Sequence, residues 1–394
     1  MIRTLAIIVV SQFFCTSLWF AGNAIIPDII NNQHLDPGFL AHLTSAVQFG
    51  FIAGTLVFAI FTIADRFSPS KVFFISALVA ALFNLALSVD YIPSIGVLGF
   101  RFLTGFFLAG IYPVGMKIAS DHFQKGLGKS LGLLVGALVL GTAFPHLLKS
   151  MSATLPWEYV VYSTSALSVL GGLTMILFVS DGPYRKAGQP LKFTAFMAGF
   201  QNKYFRSAAL GYFGHMWELY AFWAFVPLML SAYKIQYPFS TLNVSLYSAL
   251  IIGSGGIACA GSGLLSQSFN TKNIATLALF LSGMCGLLSP LFLYHPTEWI
   301  LLAFLFFWGL VVIADSPLFS TLIAWHAPDE LRGASLTIVN SMGFAITIVS
   351  IQFIGAFASY ISPQYLYLLL SIGPVFGLIV LIRGENAPQN QSRS

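Results

Sequence analysis

Charge is what this chain has least of. Asp, Glu, Lys and Arg together make up 8 % of its 394 residues, against 57 % hydrophobic residues. A soluble domain is about a quarter charged, and a globule of this size leaves much of its surface wet. So little charge excludes a water-soluble globule and calls for lipid as the solvent. Cysteine is scarce as well: Cys15, Cys259 and Cys285 all lie in apolar runs, where they act as small hydrophobes and supply neither a disulfide framework nor a metal cluster. There is no G-x-x-x-x-G-K-[S/T] phosphate loop and no polar stretch long enough for an ATPase, so transport work would draw on a gradient. The seven histidines are scattered, without H-x-x-x-H spacing, which argues against a membrane-embedded metalloenzyme; no metal and no cofactor is expected. The net charge is +5, but the basic residues sit in short loops between apolar runs. That gives a phosphate backbone no face to follow, and nucleic acid is excluded as a partner.

What the chain has in abundance is long apolar runs. Each spanning helix needs about 20 mostly apolar residues. That length yields twelve segments, near 5–30, 40–62, 71–90, 93–119, 127–149, 157–180, 204–231, 242–266, 272–294, 297–325, 332–358 and 364–382. The first run continues to about Ile30, too long for a signal peptide, and reads as a retained helix. Between the runs stand turn residues and charges, among them Asp36-Pro37-Gly38, Asp65-Arg66, Asp90 to Pro93, Pro156 and Asp329 to Arg332. Counting Lys and Arg in the short loops puts Arg3, Arg66, Lys71, Lys125, Lys129, the stretch Arg185 to Arg206, Lys272, Arg332, Arg383 and Arg393 on one side, with little more than Lys149 and Lys234 on the other. By the positive-inside rule both termini are cytoplasmic, in a cell inner (plasma) membrane.

The longest polar connection runs over 181–203 and contains Pro183 and Pro190. It divides the chain into an N-terminal half, 1–180, and a C-terminal half, 204–394, of six helices each. The fold class expected is an all-α membrane protein, twelve transmembrane helices in two pseudo-symmetric six-helix bundles. Weak internal likeness agrees: Gln48-Phe49-Gly50 and Gly54 in the second run find an echo in Gly253 and Gly256 of the eighth.

Three local patterns resemble the major facilitator superfamily. After the second run comes Ala64-Asp65-Arg66-Phe67, with Lys71 following; the family's leading glycine is missing and its basic pair is reduced to Lys71. The resemblance implies that Asp65, Arg66 and Lys71 form a conformational latch between the halves, an acid meeting a helix end and a cation. The fourth run holds Arg101-Phe102-Leu103-Thr104-Gly105, matching the family's Arg with Gly four residues later. An Arg inside a span costs a few kcal/mol, so Arg101 must face a wet cavity, pair with an acid or carbonyl, or snorkel to the interface. The fifth run carries Gly132, Gly136 and Gly141, then Pro145-His146. These are small residues for close helix packing and a proline for bending, without the Gly-Pro ending of the family's antiporters.

Ionisable groups inside spans mark function by default. Glu218 lies mid-helix with His215 three residues before it on the same face, in a stripe that runs on to Tyr212 and Phe222. Glu218 and His215 are read as a proton-coupling acid and its relay, with Asp315 of Ala314-Asp315-Ser316-Pro317 as a second acid that either couples protons or stabilises a helix break. Arg101, Trp19, Asn23, His146, Tyr212, Trp217 and Trp308 are the candidate solute contacts. The expected function is secondary active transport, most simply proton symport of a small organic anion or zwitterion. Proton-driven efflux of a lipophilic cation is the alternative. The partners expected are that solute, protons and lipid, and the chain reads as a monomer.

Overall fold

The computed structural model describes residues 2–33, 36, 38–89, 91–123, 127–151, 156–185, 194–328 and 331–383. Pro37, Asp90, Lys125, Pro190, Asp329, Arg393 and the middle of the connection between the halves lie outside the described residues. Lipid offers backbone amides no partner, so each span must satisfy them internally, and a helix does so. Twelve spans result: α1 (2–33, in the pieces Ile2–Thr16, Ala21–Ala24 and Ile26–Gln33), α2 (Phe39–Ile60), α3 (Pro69–Ser88), α4 (Ser94–His122), α5 (Leu127–Met151), α6 (Glu158–Phe178), α7 (Lys203–Gln236), α8 (Val244–Leu265), α9 (Thr271–Phe292), α10 (Glu298–His326), α11 (Arg332–Phe357) and α12 (Pro363–Arg383). Local chemistry sets their starts. Asn202, Asn243 and Asn270 cap α7, α8 and α9 by accepting from backbone N–H groups one turn on. Pro69 and Pro363 occupy first turns, where the missing N–H costs nothing.

Ten of these helices are long and apolar enough to cross a membrane on their own; the exceptions are α1 and α7. α1 is broken at 17–20, and α7 carries Tyr, His, Glu and Ser along its length. Both are buried by other helices over most of their residues, so they face protein where the outer spans face lipid. Their lower hydropathy follows from that position.

The packing repeats between the halves. α1 lies against α5 and α6, α2 against α4, and α3 against α4 and α6; raising every number by six gives the contacts of the second half, α7 with α11 and α12, α8 with α10, and α9 with α10 and α12. The halves meet along α2–α11 and α5–α8, a pair that exchanges under the same operation. The repeat distance is 204 residues: it carries Trp19 to Trp223, Gly105 to Gly309 and Pro113 to Pro317. A Cβ on Gly105 would strike the Val47 carbonyl, and one on Gly309 the Ile251 carbonyl, and Val47 and Ile251 are themselves 204 residues apart. The same close helix approach is built twice.

The glycines of α5 divide. Gly141 sits against Thr16 and the Phe13 carbonyl of α1, whereas a Cβ on Gly132 meets nothing within 4 Å and one on Gly136 only the Gly256 carbonyl oxygen at 3.8 Å. The packing expected of Gly132 is therefore absent, because its surface faces open space, and α5 runs as one helix through Pro145. Gly105→Ala should destabilise the purified protein by about 1–3 kcal/mol through overpacking. Gly132→Ala should leave stability level or raise it by about 0.5–1 kcal/mol; thermal unfolding in detergent checks both.

Candidate transport site

α10 is interrupted at its centre. Pro317 has no N–H and its ring crowds the carbonyl four residues back; α5, α7 and α9 absorb such a proline within a continuous helix, but here the helix ends at Ala314 and restarts at Ser316 with Asp315 between. The Asp315 side chain makes no capping bond to the new helix. It turns instead to α7, where its Oδ1 lies 2.8 Å from His215 Nδ1. The two make a buried contact at ion-pair distance, and His215 Nε2, on the other side of the ring, has no hydrogen-bond partner among the described residues. One turn along α7, Glu218 Oε1 accepts from Trp308 Nε1 of α10 at 2.7 Å, and Ser282 of α9 stands within hydrogen-bond reach of the same carboxyl. Trp308 is fixed by rings on both sides, Phe222 at 4.7 Å and Phe304 at 5.6 Å between centroids. His215, Glu218, Trp308 and Asp315 are each at most 1 % exposed. The stripe read from sequence thus holds, and the break in α10 adds the second acid to it.

Arg101 takes the carbonyl among its three expected options. Its side chain is fully buried, and the two terminal nitrogens donate to Leu18 O (3.1 Å) and Trp19 O, the carbonyls freed where α1 breaks. The two terminal nitrogens hold α1 open, and the buried Nε has no hydrogen-bond partner among the described residues. Asn23 donates to Thr44 Oγ1 at 2.7 Å and leaves its Oδ1 unpaired. His146 is buried with Nε2 unpaired. Trp217 faces away from the cluster, donating to Leu369 O at 2.9 Å and packing on Phe353; its odd position in the α7 turn puts it on the α12 side. Tyr212 lies beside His215, ring centroids 5.9 Å apart.

The latch residues also find near partners. Asp65 Oδ1 pairs with Lys117 Nζ of α4 at 2.8 Å, inside its own half, and Arg185 ties the Asp65 and Phe67 carbonyls to the connection. Arg66 donates to Thr62 Oγ1, and Lys71 is exposed. Among the described residues, hydrogen bonds and ring pairs join the halves away from these side chains. Gln352 of α11 donates to Ala41 O and Ser45 Oγ of α2, toward the end of the bundle opposite Arg66, Arg185 and Arg332. At mid-depth four ring pairs cross between the halves: Trp19–Tyr220, Trp19–Phe344, Phe20–Trp223 and Phe51–Phe344.

Sequence reasoning missed Tyr112, Tyr220, Phe51 and Phe344. Tyr112, where α4 resumes after its own break, lies near Tyr212 and Tyr220, and α7 supplies both of those. Among the described residues nothing hydrogen-bonds to these three hydroxyls. The pattern Ile111-Tyr112-Pro113, mirrored 204 residues on by Asp315-Ser316-Pro317, was the available signal: a proline after a polar residue at mid-span marks a broken helix at the centre.

Known proteins agree with this architecture. The chain superposes on the crystal structure of the human organic anion transporter MFSD10 (TETRAN) with a TM-score of 0.73, covering 96 % of this chain and 99 % of that one at 13 % identity. No curated protein matches by sequence. The family model described as Major Facilitator Superfamily matches residues 8–351. With the repeat, the broken central helices and this match together, the chain belongs to the major facilitator superfamily, a multi-pass membrane transporter.

Proposed function

We propose that the chain is a proton-coupled secondary transporter whose proton is held among His215, Glu218 and Asp315. One observation carries this reading: two carboxyls and one imidazole are sealed between α7, α9 and α10, with no Lys or Arg within ion-pair distance among the described residues. Full ionisation would leave net negative charge in a medium that cannot solvate it, and a proton shared over the three removes it. The cargo we infer is a small aromatic solute, uncharged or cationic. Of the cations an organic anion would use, Arg101 gives its two terminal nitrogens to carbonyls and Lys117 pairs with Asp65, while rings and phenol hydroxyls crowd the centre. Proton entry and solute exit then alternate as the halves rock.

A second reading keeps the organic anion, favoured by His146 with its unpaired Nε2 and by the fold it shares with the organic anion transporter MFSD10. Both readings share the same frame: halves at 1–180 and 204–394 joined at 181–203, termini on the cytoplasmic side of an inner membrane, and a monomer. Purified protein in liposomes under an imposed pH gradient separates them. Movement of tetraphenylphosphonium against its gradient, without benzoate, supports the proposal. Benzoate moving with protons faster than in protein-free liposomes establishes the second reading, and movement of neither beyond that background overturns proton coupling of both classes.

A further inference from the structure

Where α7 ends and α10 begins, at the end of the bundle opposite the basic loops, Tyr233, Tyr237, Phe239, Ser240, Pro296 and Glu298 line a hollow of about 420 Å³. That volume suits a small ligand. Tyr233 and Tyr237 stand one helical turn apart with ring centroids 4.8 Å apart. Both rings are pinned at the hydroxyl by backbone: Tyr237 donates to Tyr294 O at 2.8 Å and Tyr233 to Pro296 O at 3.4 Å. Glu298 is half-buried, and its Oε2 accepts from Ser240 Oγ at 2.6 Å. Its Oε1 has no partner among the described residues. No Lys, Arg or His among them reaches ion-pair distance of the carboxylate, and neighbouring His295 uses Nδ1 to accept from Thr297 N.

An acid in a first helical turn and aromatics near a membrane surface both have ordinary explanations. The chain's own repeat tells these apart from a site. Positions 204 residues earlier hold Ile29 where the second half has Tyr233, and Ser94 where it has Glu298. Ser94 opens α4 as Glu298 opens α10, so the fold starts this helix without an acid and walls this corner without a tyrosine. The acid and the ring are additions to one half.

We propose that this hollow binds small organic ammonium ions, with Glu298 as counter-charge and the rings of Tyr233, Tyr237 and Phe239 around the alkyl groups. A carboxylate and the negative faces of aromatic rings together select a weakly hydrated cation over a metal ion or an anion. Phe239, 98 % exposed, covers the bound ion from the open side. The site is separate from the buried cluster of α7 and α10 and stands whatever that cluster carries.

The test is a calorimetric titration of the purified full chain with choline and with its uncharged isostere 3,3-dimethylbutanol. Saturable choline binding that the isostere does not reproduce is expected. Glu298→Gln and Tyr237→Ala should each weaken it at least about tenfold, the equivalent of about 1.4 kcal/mol. Ser240→Ala, which keeps the charge but removes the hydrogen bonds of Ser240 Oγ to Glu298 and from Leu242 N, should stay within about threefold and so separates loss of the site from loss of the local fold. Glu218→Gln, which alters the other cluster, should leave choline affinity as it was. Equal binding of the isostere, no saturable heat, indifference to Glu298→Gln, or dependence on Glu218 would each overturn the proposal.

Discussion

Glu218→Gln is expected to abolish solute accumulation driven by a pH gradient while leaving solute exchange at equal pH intact. A one-unit gradient is worth about 1.4 kcal/mol per proton and supports up to about tenfold accumulation; the variant should give none. The change is conservative in every other respect. The glutamine carbonyl still accepts from Trp308, whose 2.7 Å bond and flanking rings fix the geometry, and the same volume stays filled. What disappears is the capacity to take and release a proton. Uptake into proteoliposomes with and without an imposed gradient, beside a counterflow measurement, separates the two effects. Accumulation at the wild-type level would remove Glu218 from the mechanism, and loss of counterflow as well would assign it to solute binding rather than coupling.

Arg101→Leu should lower the midpoint of thermal unfolding in detergent by roughly 5–10 °C, taking a few kcal/mol of lost stability at about 2 °C per kcal/mol for a chain of this size. The guanidinium is fully buried and supplies both donors to the Leu18 and Trp19 carbonyls. Leucine leaves those carbonyls unpaired away from water, at about 1–3 kcal/mol each. Arg101→Lys should recover only part, since a single ammonium replaces a planar fork that reaches two oxygens at once. A role in solute binding predicts the reverse pattern, an unchanged midpoint with lost transport. The two measurements on one preparation decide which role Arg101 has.

Spans, loops and duplication were legible from composition because lipid imposes one rule on every helix: about 20 apolar residues, with charges at the ends. The same rule made α7 readable only with help from its neighbours, since a helix buried by protein is free to carry His215 and Glu218. That freedom is why the polar stripe stood out. Its pairing with Asp315 was not legible: the break at Pro317 has a local signal, but which side chain meets which across α7 and α10 depends on helix rotation, which has none. Arg101 shows the converse. Its cost in a span was plain from the sequence, but the carbonyls that offset the cost belong to a break in α1 that has no proline to announce it. Gly132 and Trp217 were misplaced for a simpler reason: spacing names the residues on a helix face but not what that face meets.

The four ring pairs that cross between the halves set a bias on the resting population. Aromatic pairs contribute about 0.5–1.5 kcal/mol each beyond buried area, so parting all four to open the far end costs on the order of 2–6 kcal/mol. An equilibrium needs about 5.5 kcal/mol of differential affinity to swing from 1:99 to 99:1. A solute that binds both arrangements equally well moves nothing, however tightly it is held. The solutes this protein carries are then those whose contacts are better once Trp19 has parted from Tyr220 and Phe20 from Trp223, and tight binders that prefer the closed rings act as inhibitors.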